Sequence, residues 1–507
     1  MTGHPRLRTQ RVRRPGALLL GLALLLGAVA GSLWSPAPPV LGGRTSGDAT
    51  LAERVRVVVG DGRGYRGLAV AVVEHGTVRT AGLGDSGNTR AAVVDSSTVF
   101  EAGSLGKPMT GMLLADLADR GRISLTAPLR TLLPDSAGIG PGLADATLED
   151  LATHRAGLDK LPPTSAMALR ELRLRLFGHD PYRGLTEEDV VSSAESAAIG
   201  TPGRYSYSNT GMALAGLAAA HHTRQPYPQL LRQHLFSPLG MANTRIVTRA
   251  DPLPPSAAQG RKATGPAADH WYASGYTPAG DIWTTSDDMG RFLRAVMEGS
   301  APGARAAEPG YDAGPGGRIG LGWFTSATEG RRITWQNAAT GGFTSYMGFD
   351  RERALGVVVL SNTDRPVDGI GQQLLGLAAA PQDGDGALVL LTVAGTAGAS
   401  LPALAAAAGV GARRTFRGRR FLDAAFAMTA LALTHRLGDW LAVPPVLWTA
   451  GLLLAAGAVV LDIARAAARA TPAPDGPHPF PGPAVRAGAA RAGLLAATLA
   501  ALATSML

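Results

Sequence analysis

The chain has 507 residues, 46% of them apolar, with 66 glycines, 35 prolines and no cysteine; this excludes a disordered protein, and with it any disulfide, thiolate metal site or cysteine nucleophile. The net charge of +9 is not a nucleic-acid signature. Five arginines without an acid occupy residues 1–15, and ten more lie beyond residue 412 against four aspartates, so the long middle is close to neutral.

Residues 1–34 read as a secretory signal peptide or an uncleaved signal anchor: a basic start, an apolar run from Ala17 to Gly27, then Ala28-Val29-Ala30 before Gly31. Either reading keeps the arginines inside and places the downstream domain outside the cytoplasm. Residues 35–50, with Pro36, Pro38 and Pro39, read as a linker. From Leu51 a helical stretch leads to two β-rich runs, Gly67–Val73 and Thr77–Leu83, joined by Glu74-His75-Gly76 as a hairpin.

Next comes Phe100-Glu101-Ala102-Gly103-Ser104-Leu105-Gly106-Lys107, running into an apolar helix with Leu113, Leu114 and Leu117 at helical spacing. Ser104 falls at a helix N-terminus, where unpaired N–H groups and the dipole favour an alkoxide or a developing oxyanion. Lys107, three residues on, shares its face and can take the hydroxyl's proton if it is desolvated. A capping serine with a solvated lysine after it gives the same pattern, but the chain has only three lysines, Lys107, Lys160 and Lys262. Residues 122–230 carry helical patterns broken by Gly and Pro, and hold Tyr205-Ser206-Tyr207-Ser208-Asn209-Thr210-Gly211, with Tyr207 and Asn209 on an outward-facing loop. A phenol beside a lysine can relay a proton, and an amide can orient that lysine and a substrate carbonyl.

Four strands are expected towards the end, Gly320–Ser326, Arg331–Asn337, Gly342–Phe349 and Ala354–Ser361, then an apolar helix over 365–379. Strands at both ends with helices between imply an α+β domain over 51–380: one antiparallel sheet built from both termini, flanking helices, and an inserted all-helical region. Residues 381–507 carry four apolar segments, 387–410, 421–437, 441–462 and 488–507, whose arginine-rich loops alternate as the positive-inside rule requires. They are read as a transmembrane helical anchor.

The order Gly103-Ser104-x-x-Lys107, then Tyr207-Ser208-Asn209, then Trp335-Gln336-Asn337-Ala338-Ala339-Thr340-Gly341-Gly342-Phe343, resembles the serine β-lactamase and penicillin-binding-protein superfamily, specifically its class C-like hydrolases. Thr98–Gly103, Leu151–Leu158, Ser237–Met241 and Ser286–Met289 add to the resemblance, which covers 51–380. It implies Ser104 as acylated nucleophile, Lys107 as its base, Tyr207 as proton relay and Asn209 as positioning group. The backbone N–H groups of Ser104 and Ala339 would form the oxyanion hole, Gln336, Asn337 and Ala338 would meet the substrate, and neither metal nor cofactor is called for. The family's third motif usually begins with Lys or His and ends with Gly, so Gln336 and Ala338 are departures, and the missing cation at Gln336 weakens carboxylate recognition. The expected function is a membrane-anchored, extracytoplasmic ester or amide hydrolase acting on a small molecule or a cell-envelope peptide or ester. A D-alanyl carboxypeptidase, a β-lactamase, and an inactive binding or membrane component are the alternatives.

Overall fold

The structure, a computed structural model, describes residues 35–133, 139–195, 197, 199–378, 386–400 and 429–453. The described chain divides into two compact units, one over 38–378 and the other made of 35–37, 386–400 and 429–453. The larger unit is built on a nine-stranded antiparallel sheet: β1 (Thr45–Gly47), β2 (Gly67–Glu74), β3 (Thr77–Gly84), β7 (Tyr311–Asp312), β8 (Gly317–Ile319), β9 (Phe324–Thr328), β10 (Arg331–Ala339), β11 (Thr344–Asp350) and β12 (Leu355–Ser361). Their order is β1-β3-β2-β12-β11-β10-β9-β8-β7. The two ends of the unit meet where β2 pairs with β12, from Leu68 opposite Ser361 to Glu74 opposite Leu355. A second, three-stranded sheet orders β4 (Phe100–Glu101), β6 (Ile282–Thr284) and β5 (Arg245–Ile246).

Alternation along the central strands explains why they read as unbroken apolar runs. In β2, Ala69, Ala71 and Val73 enter a large core shared with the helices, while Leu68, Val70 and Val72 enter a smaller core on the other face. In β12, Val358 and Leu360 go one way and Val357 and Val359 the other. The smaller core is closed by the helices Ala49–Val59, which brings Leu51, Ala52 and Val55, and Asp368–Leu374, which brings Ile370 and Leu374. The larger core contains the helix Gly106–Asp119 and, from the inserted helical region, the helices Glu187–Glu195 and Asn209–Thr223; the third long helix there, Ser165–Phe177, adds nothing to it. The expected architecture is therefore found. β1, β7, β8 and the second sheet were not legible, because strands of two or three residues are too short to show a period.

The transmembrane reading of 381–507 finds no support in the described residues: among them no helix is long and apolar enough to cross a membrane, and Gly386–Ser400 has 15 residues. Residues 1–34, 401–428 and 454–507, which hold most of the expected leader and apolar segments, lie outside the described residues. Within the smaller unit the indole of Trp448 donates to Leu431 O at 2.9 Å, and the Asp439 N–H donates to Thr396 Oγ1 at 3.0 Å.

Gly111 shows how tightly the helix Gly106–Asp119 is seated. A Cβ at that position would lie 1.9 Å from the carbonyl oxygen of Leu321 and 2.6 Å from its carbon. Gly to Ala in a helix interior ordinarily stabilises by about 1 kcal/mol. Here the obstacle is backbone, which cannot rotate away, and overpacking of this kind costs about 1–3 kcal/mol. Gly111→Ala should lower the thermal unfolding midpoint, and a raised midpoint would show that the helix is not held against Leu321.

Candidate active site

Ser104 is delivered by a fixed entry. The Ala102 N–H donates to Ile282 O at 2.7 Å and the Ser345 hydroxyl to Ala102 O at 2.9 Å, so the chain arrives clamped between β6 and β11. The 3-10 turn Gly103–Leu105 then runs directly into the helix Gly106–Asp119. Gly103 sits at φ +51°, and a Cβ there would lie 3.3 Å from the Ala338 methyl and 3.2 Å from that of Thr340. The absent side chain is what lets the serine turn approach β10.

Lys107 lies one turn on, as the spacing of three required, with Nζ 2.8 Å from Ser104 Oγ and 2.7 Å from Ala279 O. Its side chain is only 1% exposed. Burial drives its pKa below the usual lysine value, opposed mainly by the attraction of Tyr207 and seconded by Lys160. The Tyr207 hydroxyl is 3.3 Å from Ser104 Oγ, and its ring centroid is 5.1 Å from the ammonium. Burial alone would raise the phenol, but the Lys107 charge and the hydrogen bonds to Lys107 and Ser104 outweigh it and leave its pKa lowered. The amine and the phenol thus both lie within hydrogen-bond reach of the serine oxygen.

Tyr207 is held by a device the sequence did not reveal. Three successive carbonyls of the loop after the short helix Leu148–Ala152 bind its neighbours: Leu158 O takes the Ser206 hydroxyl (3.0 Å), Asp159 O the Ser208 hydroxyl (2.7 Å) and Lys160 O the Asn209 N–H (2.9 Å). His154, at φ +58° and 2% exposed, grips both flanks: its carbonyl accepts the Ser206 N–H at 2.8 Å, and its Nδ1 accepts the Ser208 N–H at 3.3 Å. Its ring centroid is 4.6 Å from that of Tyr207. Burial, helped by the nearby Lys107 charge, pushes its pKa down to about 3, so above that pH it is a neutral acceptor.

The remaining expected residues are placed unevenly. Asn209 was read as an outward-facing loop residue that orients Lys107 and a substrate carbonyl; it does line the pocket with Ser104 and Tyr207, but as the first residue of the helix Asn209–Thr223, capped by Ser208, 8% exposed, with Nδ2 2.9 Å from the Tyr182 hydroxyl. Gln336 was expected to face the substrate. It is 1% exposed and donates to the carbonyl of Ser104 at 3.3 Å, beneath the nucleophile turn and not in the pocket. The physical reason is the pleat: β10 turns Gln336 inward and leaves Asn337 exposed, with its amide 2.6 Å from Asp368. Asn337, Ala338 and Ala339 line the pocket as expected. The Thr340 N–H donates to Phe343 O at 2.9 Å, so the alternation of an antiparallel ladder makes Ala339 and Thr344 a non-hydrogen-bonded pair. The Ala339 N–H therefore faces away from β11, on the side where the pairing of β9 has already ended at Trp335.

These groups open into a cavity of about 480 Å³ that also takes in Leu161, Tyr182, Trp271 and Tyr276. Its charged lining is Lys160 against Glu171, Asp281, Asp364 and Asp368. Burial and then the neighbouring Asp180 push Asp281 up to about 7, and Asp364 is paired with Lys262 at 3.1 Å. Lys160 was visible in the sequence only as one of three lysines. No group of three or more potential metal ligands occurs among the described residues.

Comparison with known proteins bears on the family and the fold. The family model described as Beta-lactamase matches residues 49–380. The chain belongs to the beta-lactamase family. It is 27% identical over 321 residues to the D-alanyl-D-alanine-carboxypeptidase/endopeptidase AmpH of Escherichia coli K12, covering 59% of this chain and 80% of that one. To the putative penicillin-binding protein PbpX of Bacillus subtilis it is 24% identical over 270 residues, covering 52% of this chain and 63%, under two thirds, of PbpX. Among solved structures, the D-alanine carboxypeptidase AmpC from Burkholderia cenocepacia superposes with a TM-score of 0.53 at 22% identity, over 64% of this chain and 99% of that one. The octameric penicillin-binding protein homologue from Pyrococcus abyssi gives 0.55 at 23%, over 65% and 77%. Both structural likenesses bear on the fold. The family is one of serine hydrolases, beta-lactamases and DD-peptidases among them.

His154 contacts the backbone on both sides of Tyr207, and its replacement separates a positioning role from simple packing. His154→Phe removes the acceptor for the Ser208 N–H, whereas His154→Asn keeps an oxygen near the same place and tolerates positive φ. The Phe variant should lose about 10–100-fold in kcat with KM little changed, a share of what general acid–base catalysis contributes. The Asn variant should recover most of it. Full kcat in the Phe variant would show that His154 does not hold Tyr207.

Proposed function

We propose that the unit over 51–380 is a membrane-anchored, extracytoplasmic serine hydrolase that cleaves an ester or amide through an acyl-enzyme on Ser104. The observation that carries the reading is the 2.8 Å approach of a fully buried lysine amine to the serine oxygen. A neutral Lys107 donates to Ala279 O and keeps its lone pair for the Ser104 proton. Oγ then attacks the substrate carbonyl, and the oxyanion is received by the backbone N–H groups of Ser104 and Ala339. On collapse, the proton passes from Lys107 through the Tyr207 hydroxyl to the leaving alcohol or amine, leaving Ser104 esterified. Water, deprotonated by the same pair, hydrolyses the ester and restores the serine.

The anchor and its side rest on sequence: the basic, apolar start and the arginine-flanked apolar segments after 386. The named relatives make an envelope peptide or ester a reasonable substrate class. The pocket favours a neutral substrate over an anionic one. Gln336 is turned away from it, Asp368 stands beside the third motif, and Lys262 is neutralised by Asp364.

A carboxypeptidase or β-lactamase reading draws on one observation, the exposed Lys160 at the rim of the cavity. A charged donor to a carboxylate is worth about 1.5–3 kcal/mol, against about 1 for a neutral one.

Acylation efficiency should be measured with a neutral short-chain ester and with penicillin, Ser104→Ala serving as the blank. The neutral ester should win. Lys160→Gln should depress penicillin acylation about tenfold or more, the equivalent of about 1.4 kcal/mol, and spare the ester. Penicillin acylating the wild type faster than the ester would transfer the function to the carboxypeptidase or β-lactamase reading, and no acylation by either would contradict the hydrolase.

A further inference from the structure

The helix Ser165–Phe177 stands at the mouth of the Ser104 cavity, where Glu171 and Leu174 line the wall. Its other face is built the wrong way round for a soluble protein. Met167 is its one fully buried residue, while Leu169 is 56%, Leu172 48% and Phe177 41% exposed. Only five large hydrophobic side chains are exposed among the described residues of the 38–378 unit, and three of them are on this one helix. At 100° per residue, Leu169, Leu172 and the half-buried Leu176 fall within about 60° of one another, while Phe177 stands at the helix end about 80° from Leu169, outside this stripe. Arg173 lies on one side of this stripe and Arg175 on the other, while Glu171 points to the cavity side. The helix is well fixed: the Thr164 hydroxyl caps Met167 N at 3.2 Å, Gly178 ends it at φ +69°, and Arg170 ties it to the carbonyls of Pro181 and Arg183 at 3.1 and 2.9 Å.

We propose that this outer face docks on an anionic bilayer surface, leucines in the acyl boundary and guanidinium groups at the phosphates, so that the Ser104 cavity opens at headgroup level. A leucine stripe edged on both sides by arginine, with the helix's one acid on the far side, suits that occupant. A second copy suits it less, because a two-fold contact would set the two arginine edges of one protomer among the same edges of its partner. The docking stands on this helix; its relevance to turnover rests on the hydrolase reading.

The absence of cysteine makes the test clean. Leu172→Cys in the full-length chain gives a single thiol for an environment-sensitive fluorophore. The labelled protein is titrated with phosphatidylcholine vesicles with and without phosphatidylglycerol. The expected result is a blue shift with about a twofold or greater rise in emission on phosphatidylglycerol vesicles, quenching by nitroxide-bearing lipid, and loss of both in Arg173→Glu/Arg175→Glu. That double variant should hydrolyse a soluble neutral ester at the wild-type rate. No change on either vesicle overturns the proposal, as does a shift that tracks protein concentration without lipid, which would assign the face to a second copy. A lipid-dependent shift in a protein that hydrolyses no ester keeps the docking and removes the hydrolase reading.

Discussion

The site depends on keeping an amine out of water without giving it a carboxylate. Lys107 is sealed under the serine turn with a backbone carbonyl and two hydroxyls for company, and among the described residues no carboxylate hydrogen-bonds to it. Burial lowers its pKa by withdrawing free energy from the protonated form. An acid bonded to Nζ would return that energy and lock the ammonium. Asp281 is the acid that raises it, and burial and neighbouring acids hold Asp281 itself near neutral titration, which blunts its pull. Lys160, exposed at the rim, acts in the opposite sense on Lys107 and lowers the phenol of Tyr207 as well.

Holding the three groups within hydrogen-bond reach falls to the sheet. The β2–β12 pairing joins the beginning and the end of the unit, and β10 and β11 then present a rigid edge against which Gly103 can close. Tyr207 comes from the inserted helical region, so its placement relative to Ser104 is a long-range problem. The loop carbonyls of 158–160 and the two bonds from His154 solve it locally, by fixing the backbone on each side of the phenol. In proteins this sort of supporting shell decides whether a correctly composed site is also correctly spaced.

Much of this was legible because the chemistry obeys the chain's own periodicities. The spacing of Ser104 and Lys107 converts directly into a contact on a helix, and the central strands β2, β11 and β12 show themselves because both their faces are buried. The failures have equally definite causes. Gln336 was misplaced because a motif gives residue types and not the phase of the pleat, and one residue along β10 separates the underside of the serine turn from the pocket. Asn209 was misplaced although its own signal was present: Ser208 is a good N-cap directly ahead of an apolar helix, which puts the next residue inside that helix. Lys160 shows in the sequence only as one of three lysines and His154 only within the Leu151–Leu158 stretch; what they hold, through loop carbonyls and, at His154, a left-handed backbone, leaves no trace in composition or spacing.

The claim on which everything else turns is that Lys107 is the neutral base of Ser104. The direct measurement is the pH dependence of the acylation rate, read by stopped-flow with a neutral ester whose own reactivity is corrected for, in wild type and in Lys107→Arg. A lysine with a lowered pKa is protonated and inactive at low pH and becomes competent as pH rises, so the wild-type rate should climb through an ionisation clearly below the ordinary lysine value. The arginine variant, charged throughout, should be flat and slower by about 10²–10⁴-fold. A wild-type profile that keeps rising up to the ordinary lysine range, or an arginine variant that acylates at the wild-type rate, would contradict the account.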